Sequence, residues 1–390
     1  MSIDVWNKVK WTKEACDLLP DPRSGAAITR LTGSMMMSNN NYYGGSCSAD
    51  GKRVLGIRFL DYMLSPTIAI LALDLETKWT AVLDPNNTIS ILLHAPFTGL
   101  FYYVNDRKEL CRVSLDTFDK EVLMSMEGLP PVYDILRGIT RDQRYLLYHT
   151  LVTISGGLSL AIVRLDLRER VSELIYENPG IHGFSYLPGL NALAVGHRTL
   201  ADGSTPPLGA WKDRAGNGYR SDLLDLDGNL LRSLGTPPGY GVNFPGSGAV
   251  VSNYACDMVN FRHKPERMNG NMAVFASLEY ANPRMIKAPE HLFHHIAGSR
   301  CERYVVTEAF QPEKGPFGPT SIVVVNIETG KHRTLVTDCG VLGGGGGNCL
   351  RQPTPYLTSD NRHVIYNADP DGIPNVYAAR IPDGFMESLA

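Results

Sequence analysis

Apolar and polar residues alternate along this chain in short runs, and clusters of turn-forming residues interrupt the runs at short intervals. The clearest case is Arg351–Pro382, RQPTPYLTSDNRHVIYNADPDGIPNVYAARIP. A turn at Ser359-Asp360-Asn361 leads into an alternating run at His363–Asn367, and a Gly/Pro turn separates it from a second run at Asn375–Ile381. Alternation bounded by turn signals predicts two adjacent antiparallel strands. A related phrase, strand then polar tight turn then strand, recurs as ALDLETKWTAVL (Ala72–Leu83), RVSLDTFDKEVL (Arg112–Leu123), VRLDLRERVSEL (Val163–Leu174), LLDLDGNLLRSL (Leu223–Leu234) and VVVNIETGKHRTL (Val323–Leu335). With Asp74, Ser114, Asp166, Asp225 and Asn326 as markers, the spacings are 40, 52, 59 and 101 residues, the last spanning two repeats. A period of about 50 residues fits one four-stranded propeller blade. Helical periodicity is absent apart from a short turn expected at Lys13–Leu18.

Seven repeats account for the chain, which predicts an all-β, seven-bladed β-propeller. Blade 1 holds SCSADGKRVLGIRFL, blade 2 APFTGLFYYVNDRKELCRVSL, blade 3 LRGITRDQRYLLYHTL and blade 4 FSYLPGLNALAVGHRTL. Blade 5 is the least regular, around Ala249–Lys287; blade 6 runs from HLFHHI to Leu335, and the stretch quoted first is blade 7. The strand AAITRLTG (Ala26–Gly33) is left over and is expected to join the last blade, closing the ring and removing its edges. Residues 1–390 then form a single propeller domain with an N-terminal extension over about 1–24. Leu200–Tyr219 reads as a long loop over one face. The pentaglycine Gly343–Gly347 reads as a flexible approach to the last inner strand, since no helix N-terminus follows to make a phosphate cradle.

Composition narrows the partners. Hydrophobic content of 43% and charged content of 20% describe a globular chain. A formal net charge of −3 supplies no field for nucleic acid or an anionic membrane. The N-terminus MSIDVWNKVKWTKEACDLLPDP lacks the apolar core of a signal peptide, and no apolar run approaches the length of a membrane span, so a cytoplasmic location is expected. Seven cysteines, odd in number and without a CxxC, argue for buried free thiols rather than disulfides or a thiolate zinc site.

A propeller gathers chemistry where its inner strands begin, around the central funnel. The residues just ahead of each blade's first turn are Ser38–Tyr43, His94, Tyr133–Asp134, His182, Asn253, His291–His295 and Arg351–Gln352. Imidazoles, amides and phenols dominate this ring, which suits an acidic ligand or a metal with open positions. HLFHHI is the densest cluster, and a regular strand would set His291 and His295 on one face, with His294 adjacent. His149, His263, His332 and His363 fall within or after outer strands, where surface or structural roles are expected. There is no GxSxG for a nucleophile elbow, and Asp134 is the one obvious inner-strand acid, so paired-carboxylate hydrolysis finds little support. The remaining residue types are those of β-elimination, which needs a base and groups that hold a carboxylate and its enolate-like charge.

In order and phrasing, DPRSGAAITRLT (Asp21–Thr32), NNNYYGGSCSADGKRVL (Asn39–Leu55), LFYYVNDRKELCRVSLDTFDKEVL (Leu100–Leu123) and Arg351–Pro382 resemble oligogalacturonate lyases, cytoplasmic seven-bladed propellers of pectin breakdown. That resemblance implies a divalent metal, typically manganese, held by a blade-6 histidine and a Gln-x-x-His-x-His run on blade 7. Carried over, the blade-6 ligand is similar to His291 and the blade-7 glutamine to Gln352; His295 is a candidate third ligand. The family's arginine resembles Arg220, and its preceding histidines resemble His182 and His197. Departures are specific: Pro-Thr-Pro-Tyr follows Gln352 in place of both ligand histidines, and blade 5 offers VVSNYACD without the family's base.

Three readings follow. The first is a lyase that performs β-elimination on a uronate-containing oligosaccharide in the funnel. Arg220 and a divalent metal (Mn or Ca) neutralise the carboxylate, and His182, His197, Tyr42 or Tyr43 takes the α-proton. Asn40, Asn41, Tyr42, His94 and His294 line the substrate. The second is a metal-independent enzyme with repurposed chemistry on a small non-carbohydrate substrate, and the third is a non-catalytic binding propeller.

Overall fold

The computed structural model describes residues 8–390 apart from 34–36, 39–44, 60–66, 134–135, 201–203, 205–217, 236–240, 244–249, 253–270, 277–281, 283, 311–318, 340–352 and 371–372. The marker residues of the repeat explain how its tight turns form. Oδ1 of Asp74 accepts the N–H groups of Glu76 and Thr77. Ser114 Oγ does the same for Asp116 and Thr117, Asp166 for Arg168 and Glu169, Asp225 for Asp227 and Asn229, and Asn326 for Glu328 and Thr329. Each short polar side chain thus satisfies backbone donors that the turn removes from the ladder. Lys78, Phe118, Arg170 and Gly330, four residues past their markers, take positive φ and donate back to the marker carbonyl. A second turn, between first and second strands, uses a hydroxyl and an aspartate. Ser48 with Asp50, Thr140 with Asp142 and Thr358 with Asp360 share this arrangement.

These turns connect antiparallel strands into seven blades. Blade 3 comprises Leu136–Ile139, Tyr145–Ile154, Gly157–Asp166 and Val171–Glu177; blade 4 comprises Ile181–Leu187, Ala192–Thr199, Gly218–Leu224 and Leu230–Gly235. Blade 5 holds Gly241–Asn243, Val250–Ser252, Asn271–Phe275 and Arg284–Lys287, and blade 6 holds Leu292–Gly298, Tyr304–Phe310, Thr320–Asn326 and His332–Val336. Blades 1 and 2 are continuous, because Thr80–Ala95 serves as the outer strand of one and the inner strand of the next. The apolar cores lie between blades: Leu147 and Ile162 of blade 3 pack with Phe184, Leu193 and Val195 of blade 4. Middle strands covered on both faces lose the alternation of a half-exposed strand, and all of Thr320–Asn326 is buried. Close approach of neighbouring inner strands needs Gly138, where a Cβ would meet Tyr186 Cβ at 2.6 Å.

Ring closure follows the expectation. Ala27–Arg30 pairs with Asn375–Arg380, and Cys16–Asp17 adds outside it. Asp21 Oδ2 accepts both the N–H and the hydroxyl of Thr337 at 2.7 Å, which stitches the incoming segment to blade 6. The helical turn expected at Lys13–Leu18 is instead extended there, since Cys16 and Asp17 find ladder partners in Arg30 and Thr29. Cys47, Cys111 and Cys339 are buried free thiols, whereas Cys16 and Cys301 are exposed. No described helix is long and apolar enough to cross a membrane.

Of the surface or structural roles expected for His149, this residue takes a buried one. It lies on the second strand of blade 3, fully buried, edge-on to Phe184 at 4.8 Å, and neither ring nitrogen has a hydrogen-bond partner among the described residues. Desolvation, aided by Arg137 and His182, pushes its pKa down to about 3. An unfolded imidazole titrates near about 6.5, so above that pH both states are neutral and stability is complete. Below it the unfolded chain takes a proton that the folded ring refuses until about pH 3, and stability falls across that window. At pH 5 the loss is expected to be about 2 kcal/mol. His149→Phe keeps a ring against Phe184 and should remove that part of the decline, read from urea midpoints at pH 7 and 5; unchanged pH sensitivity would count against this account.

Candidate active site and metal centre

Inner strands begin, and second strands end, at the same mouth of the propeller. On blade 6 these are the start of Leu292–Gly298 and the end of Tyr304–Phe310. Phe293 pairs with Ala309 and Ile296 with Thr307, so His294 and His295 together oppose the single residue Glu308. This β-bulge breaks the strict alternation that would send neighbouring side chains to opposite faces. Nδ1 of His295 lies 2.9 Å from Glu308 Oε1, and Nδ1 of His294 meets the same oxygen. The imidazole centroids are 3.9 Å apart.

The carboxylate at the centre is fully buried. Burial alone would raise its pKa, but the two imidazoles and their hydrogen bonds override that and hold Glu308 ionised, below the ordinary carboxylate range. Burial pushes His294 the other way, down toward the neutral ring, against the pull of Glu308. The second carboxylate oxygen accepts the Thr354 N–H at 3.1 Å, which ties blade 6 to the segment entering blade 7. Thr354 has φ of +36°, a left-handed conformation rare for a β-branched residue. Such strain costs of order 1–3 kcal/mol and persists where the surroundings over-determine it. Here the Glu308 contact and Asn367 Nδ2, 3.4 Å from Thr354 Oγ1, supply the constraint.

Two imidazoles and a carboxylate with ligating atoms within 4.8 Å of one another fit a divalent transition ion. Both Nδ1 atoms meet Glu308 Oε1, so the carboxylate orients the two rings that would hold such an ion. Glu308 lies on a second strand, away from the residues that precede a first turn, and its signal in the sequence is a lone acid in the apolar run YVVTEAF.

The other sequence candidates are distributed as follows. His291 precedes the strand and stands instead with Glu290 and His332 on the blade's outer side, since the bulge offsets it from His295. Gln352, Asn40, Asn41, Tyr42 and Tyr43 lie outside the described residues, as does the side chain of His94, whose backbone pairs with Phe101. His182 keeps part of its side chain exposed at the start of the blade-4 inner strand, and desolvation of the ring, with Arg198 and Arg137, pushes its pKa down to about 4. His197 and Arg220 face each other across blade 4. His197 is fully buried, with Nε2 3.2 Å from Asp222 Oδ2, while the exposed Arg220 places Nε 3.7 Å from the same oxygen. Imidazole and guanidinium thus share one buried acid, with only Arg220 open to a ligand.

A seven-bladed propeller with a histidine–carboxylate cluster at one mouth is therefore the class defined. Oligogalacturonate lyases share this fold. One solved in complex with manganese superposes with a TM-score of 0.69 at 19% identity, covering 97% of this chain and 99% of its own. The oligogalacturonate lyase of Vibrio parahaemolyticus gives 0.70 at 17% identity, covering 97% and 100%. In sequence, 81 residues are 34% identical to the oligogalacturonate lyase of Dickeya dadantii (strain 3937); they make up 20% of this chain and 19% of that relative. No protein-family model matches the chain.

Glu308→Ala strands two buried imidazoles and is expected to cost about 3–5 kcal/mol in urea or guanidinium unfolding. Glu308→Gln, which keeps an acceptor for the Thr354 N–H, should cost less. Wild-type stability in the alanine variant would mean that other groups hold the two rings.

Proposed function

We propose that the chain is a carbon–oxygen lyase that performs β-elimination on a uronate-containing oligosaccharide bound at this mouth. The observation carrying the reading is the bulge that turns His294 and His295 onto Glu308, in a fold shared with an oligogalacturonate lyase that binds manganese. His294 and His295, backed by Glu308, would hold a divalent ion such as manganese. When bound, that ion supplies positive charge for the uronate carboxylate and its enolate-like form. Arg220 is exposed and aimed by Asp222, so its guanidinium can grip the same carboxylate. His182 is solvent-accessible and neutral at pH 7, which lets it accept the α-proton. His197, buried behind Asp222, acts on the substrate only by positioning Arg220.

Two tests follow. Protein purified without chelator should hold about one divalent ion per chain by elemental analysis, and uronate oligomers should develop the ultraviolet absorbance of a conjugated unsaturated product. Glu308→Gln should lower ion affinity about 10–100-fold. If His182 is the base, kcat/KM should stay level from neutrality downward and fall only as pH approaches about 4, where the ring gains its proton. An acid limb near pH 6.5 would assign the base elsewhere.

A second reading rests on the segment Pro353-Thr354-Pro355-Tyr356, which carries no metal ligand and buries Tyr356 completely. Glu308 then serves as a structural tie between blades 6 and 7, and the funnel hosts metal-independent chemistry on a small organic acid. Metal-free protein that is inactive on uronates but binds such acids would favour it.

A further inference from the structure

A second ligand constellation lies outside the funnel. After the outer strand of blade 5, a turn closed by the His291 N–H on the Ala288 carbonyl (3.0 Å) brings Glu290 and His291 together. The tight turn of blade 6 reaches over this strand, since a Cβ on Gly330 would lie 3.8 Å from the Ile286 side chain. His332, at the start of the blade-6 outer strand, therefore meets the connector. Its Nε2 is 2.7 Å from Glu290 Oε1, and its ring stands edge-on to His291 at 5.9 Å.

We propose that Glu290, His291 and His332 form a second divalent-ion site, selective for a zinc-like borderline ion, that clamps blade 5 to blade 6. One ligating atom from each lies within 4.8 Å of the others. Two imidazole nitrogens and one carboxylate oxygen form a three-residue set that leaves positions for water, and imidazole favours zinc, nickel or copper over calcium. The hydrogen bond between Glu290 and His332 is the metal-free counterpart, with a proton where the ion would sit. Ligands about 2.0–2.2 Å from a tetrahedral ion are about 3.3 Å apart, so the 2.7 Å contact needs only a small opening. Glu290 is exposed and can swing back, whereas the imidazoles are half-buried and held by packing. His332 Nδ1 is buried without a hydrogen-bond partner among the described residues.

This site is independent of the lyase reading, and its test does not use activity. Chelator-treated full-length protein would be titrated with zinc, with bound metal counted by equilibrium dialysis and elemental analysis. Wild type should bind one zinc more than His332→Ala or Glu290→Gln, with protons released on binding, whatever the occupancy of the mouth. Zinc should raise the melting temperature of wild type more than that of either variant. Substituted cobalt should show a tetrahedral visible band that weakens in both variants. Glu290→Gln alters an exposed side chain, so it keeps the test valid should His332→Ala misfold. Equal zinc stoichiometry in wild type and Glu290→Gln, with an unchanged cobalt spectrum, would overturn the assignment.

Discussion

Closure of the ring is the constraint on which everything else depends. Each blade buries its faces only against its neighbours, so an open ring would expose two apolar faces and a strand edge. Here a segment from the start of the chain supplies the strand next to Asn375–Arg380, and Thr32 and Asp21 lock it with side-chain hydrogen bonds to blades 7 and 6. The histidine–carboxylate cluster sits at the junction of blades 6 and 7, which the Glu308–Thr354 hydrogen bond joins.

Much of this architecture was legible in the residues. The markers Asp74, Ser114, Asp166, Asp225 and Asn326 stood out because the tight turn needs a short acceptor at that one position, whatever the neighbouring strands contain. Ala26–Gly33 was recognised by being unpaired. Continuous apolar runs such as VVVN could be placed only through the turns beside them, since a strand covered on both faces loses its two-residue period.

The site was legible in its composition and not in its grouping. His294 and His295 were visible as neighbours, but regular alternation linked His295 to His291. An inserted residue opposite Glu308 breaks that parity, and parity is all that sequence spacing reports. Glu308 itself was hidden because a lone acid within YVVTEAF carries no spacing signal; only the three-dimensional pairing of first and second strands brings it under the imidazoles. His149 shows the converse: a histidine in an outer-looking run became one of the most enclosed groups in the chain.

The bulge at His294–His295 has an evolutionary side. Two residues there occupy the space of one, so loss of a single codon would restore an ordinary ladder with the rest of blade 6 in register. Such a deletion would remove one of the two imidazoles on Glu308 and leave the propeller intact. Gain of one codon at the same place would have the opposite effect. A propeller of this kind can therefore acquire or discard a paired-histidine cluster in one genetic step, with its ladder intact before and after.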